Sequence, residues 1–262
     1  ARGYRVQVGL KVVAISGSAG KSTVKEMAAQ ILRTSLPTAS TKGNWNNDIG
    51  LPLSLLAMDP TARVGVFEVG TNHPGELAVL CRLLKPDWGI VTNVGPVHIE
   101  HFGSVESIAR EKAEVVRCLP ETGVAVLDAE DGFRTFLASA TQARVITVST
   151  SGKGADYVCR ARSEKPGEII ITETETRESC PVDLPFDGEH NCRNALFAVA
   201  VARGHGVPWP KIAAALAGYV ALPMRWERKA VEGIVVVNDA YNANPLSMRA
   251  ALQAFRSAVV HG

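Results

Sequence analysis

Val12-Val13-Ala14-Ile15-Ser16-Gly17-Ser18-Ala19-Gly20-Lys21-Ser22-Thr23 is the stretch from which the fold is read. Val12, Val13, Ala14 and Ile15 make an apolar, mostly β-branched run that predicts a buried strand, and the small residues after it permit a tight backbone turn. From Lys21 the pattern turns helical. A strand, turn and helix in that order leave backbone N–H groups unpaired at the positive helix end, pointing at any anion in the turn. The phosphates of a nucleoside triphosphate are the usual guest. Gly17, Ser18, Ala19, Gly20, Lys21, Ser22 and Thr23 would cradle them, with Lys21 as the cation for the outer phosphates and the Ser22 hydroxyl for Mg²⁺. The common G-x-x-x-x-G-K-[ST] spacing would require glycine at Ile15, whereas Gly17 and Gly20 are only three apart. An ordinary strand-to-helix turn is therefore the competing reading.

The chain of 262 residues is long enough for a substantial core, and 46% hydrophobic with 21% charged residues is an ordinary globular composition. A net charge of +2 with scattered Lys and Arg carries no footprint for nucleic acid or anionic lipid. No apolar run is long enough for a membrane helix, so small-molecule chemistry is expected. Cys81, Cys118, Cys159, Cys180 and Cys192 are odd in number and contain no C-x-x-C pair, which fits reduced thiols in a cytoplasm. The first strand begins about ten residues in and the chain stops while a helix is still running, so a longer parent protein is expected.

Residues 24–33 place Val24, Met27, Ala28, Ile31 and Leu32 at helical spacing. The segment 41–52 is crowded with amide side chains and turn formers: Asn44, Asn46, Asn47 and Asp48 around Trp45 either shape a loop or bind a ligand. Arg63-Val64-Gly65-Val66-Phe67-Glu68 is a strand that closes on a carboxylate. Burying an unpaired carboxylate is costly, and a metal ion would remove the penalty. Glu68 is thus the first metal-ligand candidate, against pairing with a nearby Lys or Arg or reaching water at a sheet edge. Thr71, Asn72 and His73 follow it. The strand 89–94 ends in a segment holding His98, Glu100 and His101, suited to metal binding or proton transfer but equally to a solvated surface. A helix over 104–118 opens on Ser104 and carries Lys112, which composition alone makes a solvated helix lysine.

Strands at 124–128 and 145–148 flank a helix at about 131–139. This alternation predicts an α/β fold, a mostly parallel sheet flanked by helices. From 150 to 188 strands alternate without helices, at 157–162, 168–174 and 182–184, with a turn at Lys165-Pro166-Gly167; a small antiparallel appendage is expected. Helices resume at about 190–201 and 208–217, with Asn191 and Asn194 three apart on one face. A connector at 222–227, a strand ending at Asp239 and a last helix follow.

Taken together these motifs resemble the ATP-dependent Mur ligases of peptidoglycan synthesis, and within them the D-alanyl-D-alanine-adding branch. The shortened Gly17-Ser18-Ala19-Gly20-Lys21-Ser22 loop is characteristic of that family, Gly43-Asn44-Trp45-Asn46-Asn47-Asp48-Ile49-Gly50-Leu51-Pro52 resembles its G-N-x-N-N-x-I-G-x-P, and Asp239-Ala240-Tyr241-Asn242-Ala243-Asn244-Pro245 its D-x-Y-N-A-N-P. His190-Asn191 with Asn194 is the fourth motif, and the resemblance covers essentially the whole chain. It implies a central ATP-binding domain over 1–226, including the appendage at 150–188, and the start of a C-terminal Rossmann-like domain over 227–262, with the N-terminal UDP-binding domain absent.

The resemblance further implies joining of D-alanyl-D-alanine to UDP-N-acetylmuramoyl-tripeptide through an acyl phosphate, with ATP and two Mg²⁺ ions. Lys21 and the loop amides would hold the β and γ phosphates, and Ser22 with Glu68 one Mg²⁺. His98 would help hold the second, with Lys112 matching a lysine carbamylated in many members. Asn191 and Asn194 match the adenine side, Arg225 the phosphates and Asp239 the ribose. Asn46, Asn47, Thr71, Asn72 and His73 would face the muramoyl peptide. Met224 stands where the family usually has a glycine before the arginine. The implied protein is a cytoplasmic monomer without nucleic-acid or membrane partners. The fragment itself is expected to bind ATP without turnover. Other readings are a folylpolyglutamate synthase or single-amino-acid Mur ligase, and a nucleotide-hydrolysing switch.

Overall fold

The computed structural model describes residues 1–152, 154–161, 168–185 and 188–259. In chain order the elements are α1 (Arg2–Val8), β1 (Lys11–Ser16), α2 (Lys21–Arg33), β2 (Thr38–Ser40), α3 (Gly50–Leu56), β3 (Val64–Glu68), α4 (Glu76–Leu84), β4 (Trp88–Val91), α5 (Ile99–Phe102), α6 (Val105–Arg117) and β5 (Val124–Asp128). They continue with α7 (Arg134–Ser139), β6 (Arg144–Ser149), β7 (Tyr157–Ala161), β8 (Glu168–Glu173), β9 (Glu178–Asp183), α8 (Glu189–Gly204), α9 (Trp209–Ala217), β10 (Glu227–Val231), β11 (Ile234–Asn238) and α10 (Pro245–Val259).

The strand at the centre of the argument, β1, pairs in parallel with β3 on one side and β4 on the other, in the order β2-β3-β1-β4-β5-β6-β7-β8-β9. Chain progression therefore reverses direction across the sheet at β1. Such a reversal opens a crevice beyond the strand C-termini, where α/β proteins bind ligands. Residues 17–22 fall in that crevice, flanked by the end of β3 at Glu68 and the end of β4 at Val91.

β1 reads as a continuous apolar run because both of its faces are covered. Val13 and Ile15 join a core with α2 and α8, whereas Val12 and Ala14 join a second core with α4 and α6. The alternation is the two-residue period of a strand, with a different helical layer receiving each face. All four side chains are fully buried.

The antiparallel strands expected after residue 150 are present, but they extend the main sheet. β7 pairs in parallel with β6 through Val148 and Tyr157, and β8 and β9 then add antiparallel. Cys159, Ile169, Ile171, Cys180, Val182 and Leu184 lie in the same core as α2 and α8, which is why this region does not stand apart. The third strand runs over Glu178–Asp183, further upstream than its apolar residues suggest. The turn expected at 165–167 lies outside the described residues.

Five elements, α1, β2, α3, the four-residue α5 and β10, were not anticipated from the pattern. α1 buries no residue fully, resting only Tyr4 and Val8, with Ala1 before it, partly buried on the second core, and β2 is three residues long. α3 begins inside the asparagine-rich segment, where the Asn47 side chain accepts from Gly50 N at 2.8 Å. β10 pairs antiparallel with β11 in a two-stranded sheet apart from the main one, and the residues of β10 from 228 to 231 are exposed.

Candidate functional site

The turn after β1 is built by close approach. A Cβ on Gly17 (φ 149°) would lie 1.8 Å from Thr92 Oγ1, and one on Gly20 (φ 84°) 2.5 Å from Asn194 Oδ1. Both positions therefore require glycine. The turn is also tied to the residues after β4: Ser18 N donates to Asn93 O at 3.1 Å, Ala19 N to Asn93 Oδ1 at 2.9 Å, and Thr92 Oγ1 to Ala19 O at 2.6 Å. α2 starts at Lys21 with no side-chain cap on its N-terminus, so its positive end faces the crevice. Lys21 Nζ donates back to Gly17 O at 2.9 Å. Burial holds its ammonium below the usual lysine range; Glu68 opposes that shift and Arg225 adds to it.

Glu68, in register with Ile15, is 2% exposed. One carboxylate oxygen accepts from Ser22 Oγ at 2.6 Å and the other from Asn46 Nδ2 at 2.7 Å, while its backbone N–H donates to Thr41 Oγ1 at 3.0 Å. The buried carboxylate is thus held by neutral donors. A serine hydroxyl and one carboxylate, both hard oxygen donors beside a phosphate-binding turn, suit Mg²⁺, which commonly takes one or two carboxylates and completes its shell with phosphates and water. Among the described residues no group of three or more His, Cys, Asp or Glu side chains forms a metal cage. Such a cage is not what a phosphate-linked Mg²⁺ needs.

Two cavities meet at this turn. The first, of about 480 Å³, is lined by residues 18–22 together with Asn46, Asn47, Glu68, Thr71, Asn72 and His98. The second, of about 460 Å³, is lined by Thr23, Asn93, Asp131, His190, Asn191 and Asn194. Ala19, Gly20, Arg225 and Asp239 border both. Asn191 and Asn194 are buried on α8. Arg225 Nη2 donates to Ser22 Oγ at 3.1 Å, and its guanidinium lies 4.1 Å from the Tyr241 ring centroid. Asp239 accepts from Trp226 N at 3.0 Å; burial raises its carboxyl above the usual range, against the Trp226 amide and Arg225. Met224 has φ 58°, the left-handed backbone that glycine adopts most easily, so the connector keeps its course without the expected glycine.

The remaining expected residues divide. His98, itself left-handed (φ 50°), lines the first cavity. Partial burial lowers its imidazole, with Glu100 opposing and Lys21 and Lys112 reinforcing. His73 does not line either cavity: its ring lies 4.3 Å from that of His101, and its Nδ1 is 3.2 Å from Glu76. Lys112 is no solvated lysine but 2% exposed, lining neither cavity. Burial first, then Lys21, bring its ammonium down to about 7, with Glu111 and Asp131 opposing.

Several contributors escaped the sequence reading. Asn93 anchors the turn, and Thr41 receives the Glu68 amide. The Glu111 carboxylate accepts from Gly75 N at 2.7 Å and Leu77 N at 2.8 Å, tying the loop of Thr71 and Asn72 to α6. An amide at a strand terminus was the available signal for Asn93. Nothing local marked Glu111, whose partners lie more than thirty residues away.

Comparison with known proteins matches residues 15–202 to the Mur ligase middle domain. A UDP-N-acetylmuramoyl-tripeptide--D-alanyl-D-alanine ligase of Escherichia coli is 37% identical over 95% of this chain, and one of Bacillus subtilis 35% identical over 100%. The chain spans 56% of the length of each. Among solved structures, MurF from Acinetobacter baumannii superposes with TM-score 0.89 at 34% identity, covering 97% of this chain and 56% of that one. MurF ligase from Thermotoga maritima, solved in complex with ADP, gives 0.87 at 27% identity over 97% and 58%. With the middle-domain match extending over most of its length, this chain belongs to the Mur ligase family.

Proposed function

We propose that this chain is the ATP-handling part of a ligase that joins D-alanyl-D-alanine to UDP-N-acetylmuramoyl-tripeptide. The observation that carries the reading is the buried Ser22–Glu68 contact of 2.6 Å set beside Lys21 at the glycine turn that opens α2. A carboxylate is a poor electrophile. Its oxygen attacks the γ-phosphorus of ATP, the bond to the β-phosphate oxygen breaks, and ADP leaves behind an acyl phosphate. The amine of the dipeptide then adds to the acyl carbon, phosphate departs with the C–O bond electrons, and the amine proton is lost to solvent.

The role of the protein is to hold anions together and to neutralise the charge that moves between them. Lys21 and the amides opening α2 would hold the β and γ phosphates, with Arg225 reaching them from the connector. Asn191 and Asn194 would border the adenine and Asp239 the ribose. Asn46, Asn47, Thr71 and Asn72 would face the muramoyl peptide; His73, turned toward His101, is the weakest of that group. Mg²⁺ held by Ser22 and Glu68 would supply Lewis-acid charge on the phosphoryl oxygens. A second site at His98 would need an anion from Lys112. As an ammonium Lys112 offers no lone pair, but a depressed pKa of about 7 leaves much of it neutral near neutrality, and a neutral amine can add CO₂ to become a carbamate.

The same reading assigns 1–226 to the central domain and 227–262 to the opening of a C-terminal domain, with the loop between β11 and α10 lending Asp239 and Tyr241 to the site. It also makes the whole protein a cytoplasmic monomer; the five free cysteines and the absence of any helix long and apolar enough to cross a membrane among the described residues are consistent with that. The test is ADP release by the full-length ligase with ATP and Mg²⁺. Release that requires the muramoyl tripeptide, and yields an amide only when D-alanyl-D-alanine is added, supports the reading. Release indifferent to both substrates would sink it in favour of a nucleotide switch.

A further inference from the structure

Lys25 is among the largest fully buried side chains of the described residues and has no place in the chemistry above. It sits on α2 one turn beyond Lys21 and Ser22, so it shares their rigid element. A buried ammonium is tolerated only when its donors are filled. Here all three are: Nζ donates to Thr41 O at 2.8 Å and Gly43 O at 3.0 Å, and pairs with Glu26 Oε1 at 2.6 Å. The two carbonyls open the asparagine-rich segment. From there Thr41, itself 1% exposed, takes the Glu68 amide through its hydroxyl. Asn46 holds Glu68 Oε1 at 2.7 Å through its side chain and accepts from Gly70 N at 2.9 Å through its carbonyl.

We propose that Lys25 is a positioning residue that couples the two halves of the site: it fixes the 41–43 backbone so that Thr41 and Asn46 hold Glu68 against Ser22, while Asn46 and Asn47 form the wall facing the carboxylate substrate. The assignment of that wall to the substrate rests on the ligase reading; the ordering of the loop by Lys25 does not. A helix whose first turn grips phosphate thereby also sets the loop for the second reactant.

The test uses the full-length ligase, wild type and Lys25→Met, a change that keeps the length of the stem and removes the donors. Hydrogen exchange of the 41–50 amides should quicken about tenfold, and KM for UDP-N-acetylmuramoyl-tripeptide should rise about tenfold, while the ADP dissociation constant measured without Mg²⁺ stays within about twofold. Lys25→Arg, which restores a cation with donors, should recover part of the loss. Unchanged exchange over 41–50 overturns the proposal. So does quickening spread across α2 with ADP affinity falling in step, since that is the mark of a purely structural lysine. If Lys25→Met does not fold, Thr41→Val keeps the Lys25 acceptor and removes only the hydroxyl; it should raise KM by a similar factor, and a wild-type KM overturns the link. A wild-type enzyme that forms no ligation product refutes the ligase reading instead, and the exchange measurement still decides Lys25.

Discussion

Lys112 shows how far a residue's setting can depart from its type. On sequence it belongs to a solvated helix face, yet it is 2% exposed with its pKa brought to about 7 by burial and by Lys21. Below pH 7 the folded and unfolded states both carry the proton, and the full cost of burying the charge is present. Between about 7 and the ordinary lysine value of 10.5 the unfolded state binds more protons, so stability rises with pH across that window. Lys112→Met should therefore stabilise the chain at pH 6 in CO₂-free buffer, by about 1–4 kcal/mol, with the gain shrinking toward pH 10. Denaturant melts at the two pH values measure it, and a gain independent of pH contradicts the burial argument. Lys21→Ala addresses the other cation: removing the charge from the turn should weaken ADP binding on the order of 100-fold in calorimetric titration. Unchanged affinity would mean that the turn is only a turn. Glu68 was legible because an acid closing an apolar strand is a visible anomaly. Lys112 entered the site only through the family resemblance, and Glu111 and Asn93 did not enter it, because their burial and partners come from elements distant in the chain.

At the scale of elements, β1 and α2 were legible almost to the residue, since an apolar run, two glycines and a helical period each have a single local cause. Gly20 carries that logic furthest. Alanine there would meet Asn194 Oδ1 and keep φ at 84°, so Gly20→Ala should cost about 2–3 kcal/mol of stability and lose nucleotide affinity together, read by melting with and without ADP. A fall in stability with affinity intact would separate the turn from the site. The junction of α6 with α4 is a second case. Glu111 gives the N-terminus of α4 a charged acceptor, and Glu111→Ala should destabilise by about 2–3 kcal/mol in a urea melt. A change below about 0.5 kcal/mol would show that the cap is dispensable. The elements that were misjudged failed for nameable reasons. α3 hides among turn-forming residues; the antiparallel strands after residue 150 were read from their alternation, which is silent on the β6–β7 pairing that joins them to the main sheet.

For the molecule as a whole, the central fact is the reversal of strand order at β1. It places one glycine-rich turn between the ends of β3 and β4, and two helical layers bury the strands so that the turn sits on a rigid frame. Order reversal arises from pairings far apart in sequence, so alternation predicts a parallel sheet without revealing which strand lies at its centre. The most direct test is a crystal structure of the chain with a non-hydrolysable ATP analogue and Mg²⁺. The account predicts the γ-phosphate within hydrogen-bonding reach of Lys21 Nζ, and a Mg²⁺ ion bound by Ser22 Oγ with Glu68 coordinating it directly or through one water. An analogue seated elsewhere, or Glu68 turned away from the ion, would contradict it.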